Sequence, residues 1–93
     1  MARTAFLITI IGQVQGVGFR AFVRRHAKNL GIDGWVRNRH DGSVEIMAIA
    51  EPHLIDQLRE TFDRAPALAK IEQISLRGAE DDGTTGFKET PTT

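Results

Sequence analysis

The segment of the sequence with the clearest chemical character runs from Gly12 to Arg20, and its residue types are those of an anion-binding loop. Its first seven residues, Gly12-Gln-Val-Gln-Gly-Val-Gly18, include three glycines. Consecutive backbone N–H groups in such a loop can form a concavity for an anion, and a helix N-terminus adds partial positive charge. Arg20 would lie in the first helical turn, where the helix dipole disfavours a cation. A bound phosphate, gripped at two oxygens by the planar guanidinium, would resolve that conflict.

Three other interpretations of this segment compete with a phosphate loop. A glycine-rich connector followed by a solvated arginine stays open on the residue types alone. A dinucleotide-binding loop is suggested because Gly16-Val-Gly-Phe-Arg-Ala21 matches G-x-G-x-x-[GA], with Asp41 about 20 residues further on. The hairpin predicted at Asp41 argues against it, since that fold needs a parallel crossover there. A nucleoside-triphosphate loop requires G-K-[ST], which the segment lacks.

The other residue types give few alternatives for catalysis. The sequence has no cysteine, which excludes disulfides, thiolate zinc sites, iron–sulfur clusters and a cysteine nucleophile. The three histidines are scattered without the spacing of metal ligands. We expect His26 on the apolar face of a helix, His40 in a turn and His53 exposed at a helix start. No metal and no cofactor are therefore expected.

Trp35 raises the alternative of a platform for single-stranded nucleic acid. The segment Trp35-Val-Arg-Asn-Arg39 alternates an aromatic residue with basic ones, as such platforms do. No second aromatic strand completes the pattern, so we expect Trp35 in the core and no nucleic-acid partner. The acidic run Glu80-Asp-Asp82 is expected to be a solvated loop.

The elements that must position the candidate residues follow from hydrophobic periodicity. Residues 5–11 are rich in β-branched and aromatic side chains and predict a strand. Apolar residues at helical spacing predict a helix from Phe19 that Gly31 ends. The further elements predicted are strands over 34–39 and 43–49 joined by a hairpin at 40–42, a helix opened by Pro52, a strand over 69–77, and a possible short strand over 86–90 before a frayed tail.

The order β-α-β-β-α-β predicts an α+β fold of the ferredoxin-like type. Two right-handed crossovers around a hairpin give a four-stranded antiparallel sheet with both helices on one face. The 93 residues are enough for one core and one domain, spanning residues 1–93.

Charge and hydropathy restrict the partners and the location. Residues 1–40 hold seven basic residues and one acid, whereas residues 41–93 hold five basic residues and eleven acids. The basic first half favours an anionic partner, although two solvated faces of opposite sign would have the same composition. No apolar run approaches the roughly 20 residues of a membrane span, and no signal region begins the chain. We expect a cytoplasmic protein without a membrane partner.

Two segments of the sequence resemble signatures of the acylphosphatase family. They are Gly12-Gln-Val-Gln-Gly-Val-Gly-Phe-Arg20 and Gly34-Trp-Val-Arg-Asn-Arg-His-Asp-Gly-Ser-Val-Glu45, at the separation the family has. The resemblance runs from the first strand to at least Arg77. The fold of that family is the β-α-β-β-α-β sandwich already predicted from periodicity.

The resemblance implies an enzyme that hydrolyses the carboxyl–phosphate anhydride of small acyl phosphates to a carboxylate and inorganic phosphate. We expect activity without a metal, because the sequence has no cluster of metal ligands and the loop supplies positive charge. Inorganic phosphate, the product, should also inhibit, because it would occupy the loop from Gly12 to Arg20, and we expect a monomer. The resemblance implies that Asn38 orients the attacking water. Asparagine is a poor strand former, which favours a chemical role over a packing role at this position. The resemblance also implies that the phosphoryl group is bound by the Arg20 side chain and by the loop amides of Gln15, Gly16, Val17, Gly18, Phe19 and Arg20.

The sequence departs from the family pattern at two places. Ala50 stands where the family usually has glycine, and Phe87-Lys-Glu-Thr-Pro91 lacks the Arg-Tyr finish of some members. A non-catalytic anion-binding module on the same fold would need the loop but not Asn38, so the presence of both favours the enzyme. A related domain begins the hydrogenase-maturation carbamoyltransferases, but their zinc-binding and transferase regions are absent from these 93 residues. We therefore expect a free-standing enzyme.

Overall fold

The computed structural model describes residues 3–93, and its elements follow the predicted order with the possible last strand formed. The strands and helices are β1 (Thr4–Gln13), α1 (Phe19–Leu30), β2 (Asp33–Asn38), β3 (Val44–Ala50), α2 (Pro52–Thr61), a short 3-10 helix (Phe62–Arg64), β4 (Lys70–Ala79) and β5 (Phe87–Glu89).

The strands form one five-stranded sheet in the order β4-β1-β3-β2-β5. β1 lies antiparallel to β3 and to β4, and β2 lies antiparallel to β3 across the hairpin. These four strands confirm the predicted ferredoxin-like sandwich. The fifth strand, whose pairing the sequence did not predict, extends this sheet at one edge: β5 pairs in parallel with β2, with Gly34 opposite Phe87 and Val36 opposite Glu89.

Both helices cover one face of this sheet, as predicted, and the main core lies between them. Because side chains alternate along a strand, the buried Ile8 and Ile10 of β1 and Ile46 of β3 point to the same face. Phe19 of α1 packs there against Phe62, with ring centroids 5.7 Å apart. Each fully buried side chain of this size contributes about 1.5–3 kcal/mol, so this layer fixes α1 against the sheet.

Trp35 lies on the opposite face of the sheet, which corrects the prediction that it belongs to the core and the prediction that the acidic run 80–82 is only solvated. It is half-buried outside the main core, and its indole Nε1 donates to Asp82 Oδ2 at 3.0 Å. The guanidinium of Arg37 sits 4.5 Å from the indole centroid. Asp82 is therefore a partner of Trp35 rather than a merely solvated acid. Hydrogen bonds from Thr84 and Trp35 lower the pKa of Asp82 below its ordinary value.

The first strand is longer than predicted and includes Gly12, which the sequence interpretation placed in the loop. The pairing of β1 with β4 shifts register between Ile11 and Gly12 and then continues through Gln13. Gly12 adopts φ 145°, and a Cβ at this position would lie 2.0 Å from the carbonyl oxygen of Lys70. Glycine is needed here because the backbone of β4 approaches too closely for any side chain.

The C-terminal residues are held by backbone hydrogen bonds, so the predicted frayed tail is wrong. The amide of Thr90 donates to the carbonyl of Val36 at 2.9 Å, and the amide of Thr93 donates to the carbonyl of Asn38 at 3.1 Å. The amide of His40 donates in turn to the carbonyl of Thr93 at 2.9 Å. Residues 90–93 are thus held beside the end of β2, beyond the last parallel pair of β5.

Ala50, the departure noted in the sequence, ends β3 without irregularity. It is buried in the main core and pairs with Thr4 of β1. Over residues 3–93, neither helix has the length and apolar character that crossing a membrane would require.

Candidate active site

The loop between β1 and α1 is shaped by two glycines in the left-handed conformation. Gly16 has φ 73° and Gly18 has φ 82°, values that residues with a side chain rarely adopt. Val14, 1% exposed, anchors the start of the loop in the core, and Phe19 does the same at its end. Between these anchors the backbone is forced into a tight curl.

The start of α1 leaves its backbone donors free of side-chain caps. Gly18 is the N-cap, no side chain caps the first turn, and no acidic residue lies in that turn. The helical hydrogen bonds begin with the amide of Phe22, which donates to Gly18 O at 3.1 Å. The amides of the first turn and the positive end of the helix dipole therefore face outward beside the curled loop.

Gln15 attaches this loop to the β2–β3 hairpin. Its Nε2 donates to the carbonyl of Arg39 at 2.7 Å and to the carbonyl of Ser43 at 2.8 Å. The hairpin is itself stiffened by Asp41, whose Oδ1 accepts from the Ser43 amide at 2.9 Å and hydroxyl at 2.6 Å. These bonds lower the pKa of Asp41, so its carboxylate stays charged, and the turn stays closed, to a lower pH than an ordinary aspartate would allow.

Asn38 is the last residue of β2 and carries an unusual buried acceptor. Strand alternation puts its side chain on the same face as Val36, toward α1. Its Oδ1 is buried and has no hydrogen-bond partner among residues 3–93. An unpaired buried acceptor costs about 1–3 kcal/mol, so packing gives no reason for an asparagine here.

One cavity of about 140 Å³ brings the loop, the helix start and Asn38 together. The positive groups around it are the guanidinium of Arg20 and the start of α1. Arg20 is half-buried and makes no ion pair with any residue in the described part of the chain. The lining residues are Val14, Gly16, Gly18, Phe19, Arg20, Ala21, Asn38 and Glu89.

Of the residues that the sequence proposed for the site, this cavity unites Gly16, Gly18, Phe19, Arg20 and Asn38. Val17 and Gln15 do not line it. The side chain of Gln15 is turned away toward the hairpin, where it positions the loop rather than facing the cavity.

Glu89 is a lining residue that the sequence interpretation missed. It belongs to β5, and its carboxylate Oε2 lies 3.1 Å from Nε of Arg24, one helical turn beyond Arg20. No local pattern in the sequence marks Glu89, because its place depends on the parallel pairing of β5 with β2. The cavity thus carries one carboxylate, partly neutralised by an arginine of α1.

The other basic residues of the second signature point away from the cavity. Arg37 and Arg39 both bind the buried carboxylate of Glu45 on the far face of the sheet, with Arg37 Nε at 2.8 Å and Arg39 Nη1 at 3.1 Å. Glu45 is 6% exposed, so this pairing satisfies a charge that burial would otherwise make costly. Arg37 and Arg39 therefore stabilise the hairpin.

None of the three histidines lines the cavity. His26 packs against Phe22 on α1, with ring centroids 4.4 Å apart. Burial, followed by the charges of Arg25 and Arg64, lowers the pKa of His26. Across residues 3–93, no three histidine, aspartate or glutamate side chains lie close enough together to hold a metal ion.

Comparisons with known proteins agree with this geometry. The model of the family described as Acylphosphatase matches residues 6–89. An acylphosphatase of Thermococcus kodakarensis is 39% identical over 88 residues, which are 95% of this chain and 97% of that protein.

Solved structures show the same likeness. The crystal structure of acylphosphatase from Bacillus subtilis superposes with a TM-score of 0.88 at 32% identity, covering 96% of this chain and 99% of that one. Full-length HypF in its phosphate- and nucleotide-bound form superposes with a TM-score of 0.91 at 31% identity. There the match covers 98% of this chain but only 12% of HypF.

Proposed function

The chain belongs to the acylphosphatase family and is an acylphosphatase, and from that premise we propose how its residues hydrolyse a small acyl phosphate without a metal. The observation that carries the proposal is the common cavity of Arg20 and Asn38, two residues 18 positions apart on different elements. A module that only bound an anion would have no use for the second of these.

The phosphoryl group is bound by Arg20 and by backbone amides of the loop from Gln15 to Arg20, of which Gly16, Gly18, Phe19 and Arg20 line the cavity. The planar guanidinium holds two phosphoryl oxygens, and the curled loop presents N–H donors to the others. Phosphoryl transfer passes through a loose transition state in which charge spreads over the equatorial oxygens. Fixed donors around those oxygens stabilise that charge without having to reorganise.

Asn38 orients the attacking water. Its buried Oδ1 accepts a hydrogen bond from that water, and its amide group adds no charge to the site. Gln15 holds the hairpin that follows Asn38 against the loop, and the amide of Thr93 binds the carbonyl of Asn38 from the other side, so the water is fixed relative to phosphorus. Such positioning lowers the barrier by supplying orientation in advance.

The leaving group explains why the reaction needs no general acid, although the carboxylate of Glu89 lines the cavity. A carboxylate has an unperturbed pKa of roughly 4 and departs at pH 7 without protonation. The proton of the attacking water passes to an oxygen of the phosphoryl group. The products are a carboxylate and inorganic phosphate, which occupies the same cavity and inhibits competitively. A monomeric, cytoplasmic enzyme without a nucleic-acid partner stays a prediction.

The experiment is hydrolysis of benzoyl phosphate at neutral pH in ¹⁸O-labelled water, with and without a strong chelator. We expect release of phosphate at the same rate in both, with the label entering inorganic phosphate. Label in benzoate would place the attack at the carbonyl carbon and contradict the role of Asn38. Loss of activity on chelation, restored by a divalent ion, would contradict metal independence.

A matched substrate tests the absence of a general acid. Phenyl phosphate has the same phosphoryl group but a phenoxide leaving group, whose conjugate acid has a pKa near 10, like the side chain of tyrosine. We expect no measurable hydrolysis of phenyl phosphate, although it should compete for the cavity. Hydrolysis at a rate near that of benzoyl phosphate would require an acid that the proposal does not contain.

A further inference from the structure

A row of three cations runs along one face of α1, starting in the phosphate cavity. Arg20, Arg24 and Lys28 are spaced four residues apart, so each lies about one turn, or roughly 6 Å, beyond the last. Like charges at this spacing destabilise a helix. The helix dipole accounts for Lys28 in the last turn but not for Arg24 in the middle.

The two later cations of this row line a second cavity next to the first. This cavity has a volume of about 280 Å³ and is lined by Ala21, Arg24, Arg25, Lys28 and Asn29. Ala21 lines both cavities, so one opens beside the other along α1. We call the second cavity the basic groove.

Positive charge in the basic groove exceeds the negative charge that faces it. Arg24 pairs through Nε with Glu89, which leaves its two terminal nitrogens for another acceptor. Arg25 stacks over the ring of Phe22 at 5.8 Å. Lys28 makes no ion pair within residues 3–93. The groove therefore has unpaired donors suited to an anion.

We propose that the basic groove binds the acyl part of the substrate, and that the preferred substrates are acyl phosphates with a second anionic group on the acyl chain. The inference rests on the proposed function, because the phosphoryl group held by Arg20 sets where the acyl chain leaves the first cavity. A carboxylate or phosphate at the far end of a short chain would reach Arg24 and Lys28, one to two turns along the helix. The carboxylate of Glu89 competes with the substrate's second anionic group for Arg24, and so it weakens the preference for such substrates.

The test compares succinyl phosphate with butyryl phosphate, which has a similar length but an uncharged end. We expect the wild-type protein to have the higher kcat/KM for succinyl phosphate at low salt. Lys28→Gln and Arg24→Gln should each reduce the ratio of the two kcat/KM values about two- to fivefold, the size expected for one exposed charge pair. Glu89→Gln should raise the ratio, because it frees Arg24.

Arg59→Gln is the matched control, since Arg59 is the basic residue in the last turn of α2, as Lys28 is in α1. It should leave the ratio unchanged. A third substrate, 3-phosphonopropionyl phosphate, carries a phosphonate where succinyl phosphate carries a carboxylate. The substrate with the higher kcat/KM identifies the anionic group that the groove prefers.

Binding of non-hydrolysable ketophosphonate analogues of succinyl and butyryl phosphate separates this inference from the proposed function. One outcome is that butyryl phosphate is hydrolysed while the wild-type ratio is near one, or while Lys28→Gln and Arg24→Gln both keep the wild-type ratio. In either case the groove has no such role and the acylphosphatase mechanism stands. If neither substrate is hydrolysed, the proposed function fails, and calorimetry with the analogues decides here. Tighter binding of the carboxylate analogue, lost in Lys28→Gln, supports the groove, and equal binding of both analogues overturns it.

Discussion

Among single residues, the buried amide oxygen of Asn38 is the feature of the site that packing explains least. It lacks a partner within the described residues, in a strand where asparagine is unfavourable. The backbone around it is fully used, since its carbonyl accepts from Thr93 and it pairs with Val44 across the hairpin. The backbone of Asn38 is thus fixed in place, while the buried oxygen of its side chain has no partner within residues 3–93.

Asn38→Ala should lower kcat about a hundredfold while the inhibition constant of inorganic phosphate stays near that of the wild type. Removing one positioned polar group from a site typically costs about 3 kcal/mol in the transition state. Both constants are measured on one preparation after circular dichroism has shown that the fold survives. Gln57→Ala, which removes an exposed amide of α2, is the control and should change neither constant. A change in kcat below threefold would refute the role of Asn38.

Arg20→Ala should abolish most activity and also weaken phosphate binding, which distinguishes it from Asn38→Ala. The side chain makes no ion pair within residues 3–93, so the fold should survive its loss. Arg20→Lys should restore little, because an ammonium cannot hold two oxygens in one plane. Phosphate binding is measured by calorimetry, with Arg59→Ala as control. Normal phosphate affinity in Arg20→Ala would show that the cavity binds its ligand elsewhere.

Among the secondary-structure elements, β1 pairs with β4 up to Gln13, and the two backbones come close together at Gly12, just before the loop to α1 begins. Gly12→Ala should destabilise the protein by about 1–3 kcal/mol, because the new Cβ would meet the Lys70 carbonyl at 2.0 Å and φ is 145°. Gly78→Ala in β4 is the matched control, since no atom lies within 4 Å of its added Cβ. It should be neutral or stabilise by up to about 1 kcal/mol. Urea unfolding of the two variants measures the difference, and equal effects would contradict the close approach.

The packing of α1 should make stability depend on pH through His26. Because burial and the nearby arginines lower its pKa in the folded state, the unfolded chain binds a proton more readily. This contribution to stability is present above the unfolded pKa of about 6.5 and is lost as the pH falls through the folded pKa. His26→Gln should reduce the loss in urea midpoint between pH 7.5 and pH 5, whereas His53→Gln, at an exposed histidine, is the control. An unchanged loss in His26→Gln would assign the acid sensitivity to other groups.

At the scale of the whole molecule, the site is assembled from parts distant in the chain. The loop before α1, the end of β2 and β5 meet at one cavity, and Gln15 and the C-terminal residues tie these parts together. A ligand in the cavity therefore stabilises only the fully assembled fold.

Inorganic phosphate should accordingly raise the Tm of the protein. At 100 times its dissociation constant it should add about 2.7 kcal/mol to the free energy of unfolding. Thermal unfolding is followed against phosphate concentration, with sulfate-free chloride of equal ionic strength as the reference. Arg20→Ala should lose most of the shift. An unchanged Tm at saturating phosphate would mean that the loop is a connector only.

Elements with local signals could be predicted from the order of residue types. Phe19 to Leu30 repeats apolar residues at the helical period and stops at Gly31, so α1 forms with the predicted bounds. The hairpin follows from Gly42, whose φ of 95° suits a tight turn. The glycines before Arg20 likewise indicate a curled loop at a helix start, because backbone conformation is set by nearest neighbours.

Features that depend on the pairing of distant segments became known from the folded structure alone. The parallel position of β5 brings Glu89 into the cavity and ties Thr93 to Asn38, yet neither residue has a local signature. Trp35 could not be placed from its type, since its face of the sheet depends on strand register and its partner lies 47 residues away. No pattern in the sequence links residues so far apart in the chain. Their contacts form because the folded protein must bury apolar side chains and pair its buried polar groups.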